Sequence, residues 1–118
     1  VKLEGERVLL RVHLSNFLQW HAGPLYEALV DRARKAHLAG ATVLTGTCGY
    51  VDRGPLLGDH PHALRVERPV VVEIVDREEA LRSFLDEVEP MLAGKPALVT
   101  LERAHVVHYR GGAGGGRE

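Results

Sequence analysis

Apolar and polar residues alternate over residues 8–14, with Val8, Leu10, Val12 and Leu14 on one face and Leu9, Arg11 and His13 on the other. A period of two is that of a half-buried β-strand. Residues 15–23 read as a connection that holds the single tryptophan, Trp20. Pro24 then predicts a helix start, because its missing N–H falls among the donors that a helix leaves unpaired there anyway. Leu25, Leu29, Ala33 and Ala36 make the apolar stripe of that helix, and Glu27, Asp31, Arg34 and Lys35 its wet face. Gly40 is the residue expected to close it.

Residues 41–48, rich in Thr and Val, predict a second strand with Cys48 as a small buried residue at its end. Residues 49–62 follow, punctuated by Gly49, Gly54, Pro55, Gly58 and Pro61, and predict a long loop without regular structure. Loops of that length in a small domain are either functional or unstructured. A third strand is expected over residues 63–75, anchored by the apolar run 70–75. Asp76 and Glu79 stand at capping-box spacing before a helix that turns Leu81, Phe84, Leu85 and Val88 inward. Pro90 is expected to end or kink that helix near Glu89. Residues 97–109 read as a fourth strand.

The order strand–helix–strand–strand–helix–strand predicts an α+β fold, the ferredoxin-like βαββαβ sandwich of four antiparallel strands with both helices on one face. The third strand adds a constraint. Val70, Val72 and Ile74 point one way while Val71 and Val75 point the other. Near-continuous apolarity implies that both faces of the sheet are covered. The two helices cover one face, so a second copy of the chain is the expected cover of the other, in a homo-oligomer that closes into a ring.

Composition narrows the classes further. The 118 residues suit one domain, read as residues 1–110, followed by a flexible Gly-rich tail at 111–118 that holds five of the 13 glycines. Fifteen Lys+Arg against 16 Asp+Glu give a net charge of −1, which argues against a nucleic-acid binder. Aromatics are 5% of the chain, too few for the paired aromatics of an RNA-binding sheet. No run approaches the roughly 18 apolar residues of a membrane span, and no secretory segment opens the chain, so a cytoplasmic protein not inserted in a membrane is expected. The one cysteine excludes an internal disulfide and a Cys-x-x-Cys site. Of seven histidines, His60 and His62 come nearest to a metal pair, with no acidic or cysteine partner at ligand spacing. No nucleophile has an adjacent base and no carboxylates pair, so no enzyme is expected.

A longer pattern is carried by Trp20-His21 with Pro24-Leu25-Tyr26-Glu27-Ala28-Leu29-Val30, by Leu38-Ala39-Gly40-Ala41-Thr42-Val43-Leu44, by Pro69-Val70-Val71-Val72-Glu73-Ile74-Val75-Asp76 and by Leu98-Val99-Thr100-Leu101-Glu102. In that order these segments resemble the PII-like family catalogued as domain of unknown function 190, over roughly residues 3 to 110. The chain departs from the family pattern at Ser15-Asn16-Phe17-Leu18, where a polar stretch is usual, and at Gly23, where a lysine is usual. The resemblance implies a ferredoxin-like homotrimer with a signalling role. It implies an adenine nucleotide (ATP, ADP, AMP or a cyclic nucleotide) held between subunits. It also implies a loop at residues 49–62 that docks on a protein target, such as a membrane transporter or an enzyme.

Candidate ligand residues are Gly49, Arg53, Gly94, Lys95 and Arg110, and candidate partner-loop residues are Tyr50, Asp52, Leu56 and Leu57. Phosphates need cations and backbone N–H groups that can approach closely, which Lys95 and Gly94 offer. Gly94-Lys95-Pro96 reads equally as a plain helix end with a cation beside it. Trp20 and Tyr26 read as a stacking platform or as a packed lid over the first helix end. Two other classes stay open: a CutA-like metal-binding or tolerance protein, and a small acylphosphatase-like enzyme. The second lacks a Gly-rich phosphate loop with an arginine over residues 14–23.

Overall fold

The computed structural model describes residues 2–58 and 66–111. In chain order, β1 (Gly5–Ser15) leads to a short ladder of β2 (Gln19–Trp20) with β3 (Gly23–Pro24), then to α1 (Leu25–Lys35) and β4 (Ala41–Thr45). A second short ladder pairs β5 (Cys48–Gly49) with β6 (Leu57–Gly58), and β7 (Pro69–Asp76), α2 (Glu78–Leu92) and β8 (Leu98–Val106) complete the described fold. The main sheet has the order β4-β7-β1-β8 with every neighbour antiparallel. Each helix therefore connects two strands that flank a third, the split βαβ arrangement of a ferredoxin-like α+β fold. The Gly-rich tail expected at 111–118 lies, from residue 112 onward, outside the described residues.

Register turns the alternation of β1 into a core. Leu10 faces Ile74 and Leu101 across its two neighbours, and Val12 faces Val72 and Val99. Val8, Leu10, Val12 and Leu14 of β1 and Val70, Val72 and Ile74 of β7 are buried against Leu25, Leu29 and Ala33 of α1 and Leu81, Phe84, Val88 and Met91 of α2. The opposite face carries Leu9, Arg11, His13, Val71, Glu73 and Val75, and no element among the described residues lies over it. Leu44 and Leu98 lie on this second face at the two edge strands and are 49% and 54% exposed.

Several elements differ from expectation, each for a local reason. α1 ends at Lys35 rather than running toward Gly40. His37 takes the left-handed conformation (φ 60°), and its N–H bonds Arg34 O while Leu38 N–H bonds Ala33 O at 3.1 Å. This is a Schellman closure, and it leaves Ala36 exposed rather than on the apolar stripe. α2 runs through Pro90 to Leu92. The proline removes only the N–H that would reach Asp86, and burial of Met91 one residue later holds the last turn on the core. β7 begins at Pro69, since residues 66–68 are bound to the end of β1 instead of a sheet partner, while residues 63–65 lie outside the described residues. β8 stops at Val106, short of Tyr109.

Asp76 forms no capping box. It is the last residue of β7 and fully buried, and Arg77 is the N-cap of α2 without a side-chain bond. The Asp76 carboxylate accepts the N–H of Ala39 (2.9 Å) and of Arg77 (2.7 Å), tying the exit of α1 to the start of α2. Cys48 is exposed rather than buried, because it belongs to the small β5–β6 ladder and not to the main sheet. That ladder also puts regular structure inside the expected loop. At the loop's tip Gly54 N–H closes on Val51 O at 2.9 Å, and the two residues between, Asp52 and Arg53, are both left-handed (φ 54° and 53°). Aspartate tolerates that region, whereas arginine is strained in it.

These features set two stability contrasts. Asp76→Ala lowers the unfolding free energy by about 2–3 kcal/mol, since two amides lose a charged acceptor, against less than about 1 kcal/mol for the exposed Glu78→Ala. Urea denaturation of both variants measures the contrast. Arg53→Gly raises stability by about 1 kcal/mol through relief of the left-handed strain, read as a shift of the same denaturation midpoint.

Candidate functional site

The loop that follows β4 is folded back on the domain. Leu57 and Gly58 are buried, and Gly58 N–H bonds Glu67 O at 3.1 Å. A side chain at Gly58 would bring its Cβ to 2.9 Å from Thr47 O, so only glycine lets the two halves of the ladder approach. The returning segment is held from the other side by the end of β1. Asn16 bonds Arg68 twice, through N–H to O (3.0 Å) and Oδ1 to N–H (2.9 Å), and its Nδ2 donates to Val66 O. Ser15 Oγ donates to the Glu67 carboxylate and accepts Phe17 N–H.

Between these segments lies a cavity of about 100 Å3 lined by Ser15, Leu18, Val51, Gly54, Pro55, Leu57, Glu67 and Pro96. Its walls are apolar except for the Ser15–Glu67 pair. It joins the 49–58 loop to the corner after α2, the two segments singled out in the sequence. Gly49 lies at the base of the loop in β5, while Tyr50, Asp52, Arg53 and Leu56 are exposed around its tip and Leu57 is its buried anchor. Tyr50 and Leu56, 64% and 63% exposed, are large apolar groups with nothing among the described residues packed over them.

At the corner, Gly94 is left-handed (φ 74°) and Lys95 N–H bonds Leu92 O at 3.0 Å. Lys95 Nζ donates to Met91 O at 2.8 Å and stands 5.1 Å from the centre of the Trp20 ring. A cation thus closes the C-terminus of α2 and lies against an indole face. Trp20 itself packs on the core, with the His21 ring edge-on to it at 4.6 Å, which makes it a lid on the helix end. Among the described residues, two of the three Lys95 N–H donors remain for another acceptor.

Arg110 is not part of this grouping within one chain. It follows the far end of β8, where Tyr109 N–H bonds Glu4, whereas Lys95 precedes the near end of the same strand. His60 and His62 lie outside the described residues, and among the described residues no three metal-ligating side chains come together. Sequence reasoning missed Ser15, Asn16 and Glu67. Glu67 fell inside a segment read as strand, and its polar neighbour Arg68 beside Pro69 is the one signal that the strand starts later. A larger groove of about 330 Å3 runs between α1 and the free edge of β4, lined by Tyr26, Glu27, Val30, Asp31, Arg34 and Val43; of the candidate groups singled out in the sequence it holds only Tyr26, which is not part of the loop cavity's lining.

Comparison with known proteins agrees with this architecture. The solved structure of CPII, a nitrogen regulatory PII-like protein of Thiomonas intermedia bound to ADP, AMP and bicarbonate, superimposes with a TM-score of 0.67 at 15% identity, covering 87% of this chain and 90% of that one. A protein of Thermus thermophilus described as PII-like and signalling gives a TM-score of 0.62 at 16% identity over 91% and 94% of the two chains. A UPF0166 protein of Aquifex aeolicus is 35% identical over 103 residues, 87% of this chain and 95% of that protein. A second, from Methanocaldococcus jannaschii, is 28% identical over 87% and 92%. A family model described as DUF190, uncharacterized ACR, matches residues 7–106, and the chain belongs to this family.

Proposed function

We propose that the protein is a trimeric, non-catalytic PII-like regulator of the cytoplasm that binds an adenine nucleotide between subunits and acts on a protein target through the loop at 49–62. The observation that carries this reading is the convergence of Val51, Gly54, Pro55 and Leu57 of that loop and Pro96, next to Lys95, on a cavity of about 100 Å3. Ligand pockets that enclose a nucleotide-sized molecule run to about 300 Å3 or more, so one chain supplies part of a site. A second copy across the uncovered sheet face supplies the remainder. The row Leu44, Val71, His13 and Leu98 crosses all four strands of that face, apolar except at His13, and supports its burial in an assembly.

The chemistry of the cavity divides the ligand. Glu67 is an acceptor that repels phosphate, so the apolar cavity suits a base, whose exocyclic amine can donate to it. The phosphates then belong toward Gly94 and the two spare donors of Lys95. The exposed Tyr50 and Leu56 are the docking groups of the loop, moved when the ligand reaches Val51 and Pro55.

Titration calorimetry with ATP, ADP, AMP and cyclic AMP tests the ligand, and light scattering on a sizing column tests the assembly. At least one nucleotide is expected to bind with a dissociation constant below about 1 mM, and Lys95→Ala to weaken it at least tenfold with the assembly mass unchanged. The absence of any nucleotide binding removes the sensor reading. The assembly is expected at three times the 13.0 kDa chain mass, and Leu98→Glu to reduce it to one chain with the fold retained. A wild-type monomer at micromolar concentration overturns the trimer.

A further inference from the structure

At the end of the sheet away from the 49–58 loop, the start of β1, the end of β8 and the first turn of α2 enclose a separate cavity of about 180 Å3. Three guanidinium side chains line it, those of Arg7, Arg77 and Arg103. We infer that this cavity binds a small oxyanion of the phosphate class.

The arginines carry the argument through what they lack. Arg7 donates only to neutral carbonyls, from Nη1 to Glu6 O (2.6 Å) and from Nη2 to Lys2 O (2.8 Å) and Glu4 O (3.2 Å). Among the described residues no carboxylate forms an ion pair with it, and Arg103 has neither an ion pair nor a hydrogen bond. Arg77 is shared at long range between Glu79 Oε1 (3.4 Å) and Asp76 Oδ1 (3.9 Å). The Nε atoms of Arg7 and Arg77 are both buried, and among the described residues neither has a hydrogen-bond partner. Buried N–H groups of this kind are rare, and each is a donor that an incoming acceptor oxygen can satisfy.

Three carboxylates also line the cavity, those of Glu6, Glu78 and Glu79, and among the described residues none forms a hydrogen bond with either Nε. Glu6 meets His105 Nδ1 at 2.5 Å, Glu78 meets Arg82 Nε at 2.8 Å, and Glu79 is the one beside Arg77. Among the described residues none of these carboxylates forms an ion pair with Arg7 or Arg103, so both guanidinium groups keep N–H donors for another acceptor. An oxyanion offers several acceptor oxygens at once, and guanidinium forks suit that geometry. The three arginines come from positions 7, 77 and 103, and only the register joins them: Val8 faces Asp76 on one side and Arg103 on the other.

Inorganic phosphate is the probe, with the full chain and with chloride at matched ionic strength as the reference. Phosphate at about 10 mM is expected to raise the melting temperature while chloride does not. Arg103→Gln, which removes an exposed side chain without a partner, is expected to weaken phosphate binding about tenfold by calorimetry, and the charge control Arg34→Gln on α1 to leave it unchanged. Absence of a phosphate response in the wild type, with water satisfying both Nε groups, overturns the site. Equal weakening by Arg103→Gln and Arg34→Gln overturns it too, since that reads as net charge alone. No nucleotide enters the experiment, so its outcome is independent of the nucleotide reading.

Discussion

The pairing of β1 with β7 is the constraint from which the other features follow. Eight residue pairs, from Val8 with Asp76 to Ser15 with Pro69, set which side chains share a face. With that register Leu10, Leu14, Val72 and Ile74 fall together under the two helices, and a slip of one residue would expose all of them. The same register places Arg11 beside Glu73 on the opposite face, where the guanidinium bonds Glu73 at 2.8 Å and also bonds Glu102 of β8. The hydrogen bond to Glu73 holds Arg11 above its ordinary pKa. Charges paired within one chain allow the surrounding Leu9, Val71 and Val75 to be covered without stranding an ion, which is the condition a second copy has to meet.

The two ends of this sheet are chemically different. At one end the loop and the α2 exit surround an apolar cavity with a single carboxylate and a lysine at its margin. At the other end three guanidinium groups and three carboxylates line a second cavity, and two of the arginine Nε atoms are buried without a partner among the described residues. α2, of 15 residues and so roughly 22 Å long, spans the distance between them. Asp76 fixes the entrance of that helix and Lys95 its exit, so both ends of α2 are held by a charged side chain on a backbone group.

The fold was legible because periodicity reports burial directly. Residues 8–14 and 70–75 alternate or run apolar, and the stripe Leu81, Phe84 and Val88 repeats at helical spacing. Met91 continues that stripe beyond Pro90, and burial of its side chain outweighs one lost hydrogen bond, so the helix runs on. His37 in place of Gly40 as the closing residue of α1 escaped a reading based on glycine, because the two closing hydrogen bonds and the packing of Leu38 select the position. Cys48 was misplaced for a related reason: a Thr/Val-rich run does not say where the main sheet ends and a local ladder begins. In the site, Gly94 and Lys95 were visible as a helix end, whereas Ser15, Asn16 and Glu67 have no local pattern at all. Their roles arise from contacts between residues 50 and 52 positions apart in the chain.

The sequence by itself determined the element order, the helix-facing side chains and the α+β class, all of which depend on spacing within one segment. It also determined that β7 carries apolar residues on both faces, Val70, Val72 and Ile74 on one and Val71 and Val75 on the other. The tertiary structure alone decided which distant residues meet. It joined the 49–58 loop to Pro96, separated Arg110 from Lys95 by the length of β8, buried Asp76 against Ala39, and collected Arg7, Arg77 and Arg103 around one cavity. Spacing along a chain fixes direction within an element, but only the pairing register fixes neighbours between elements.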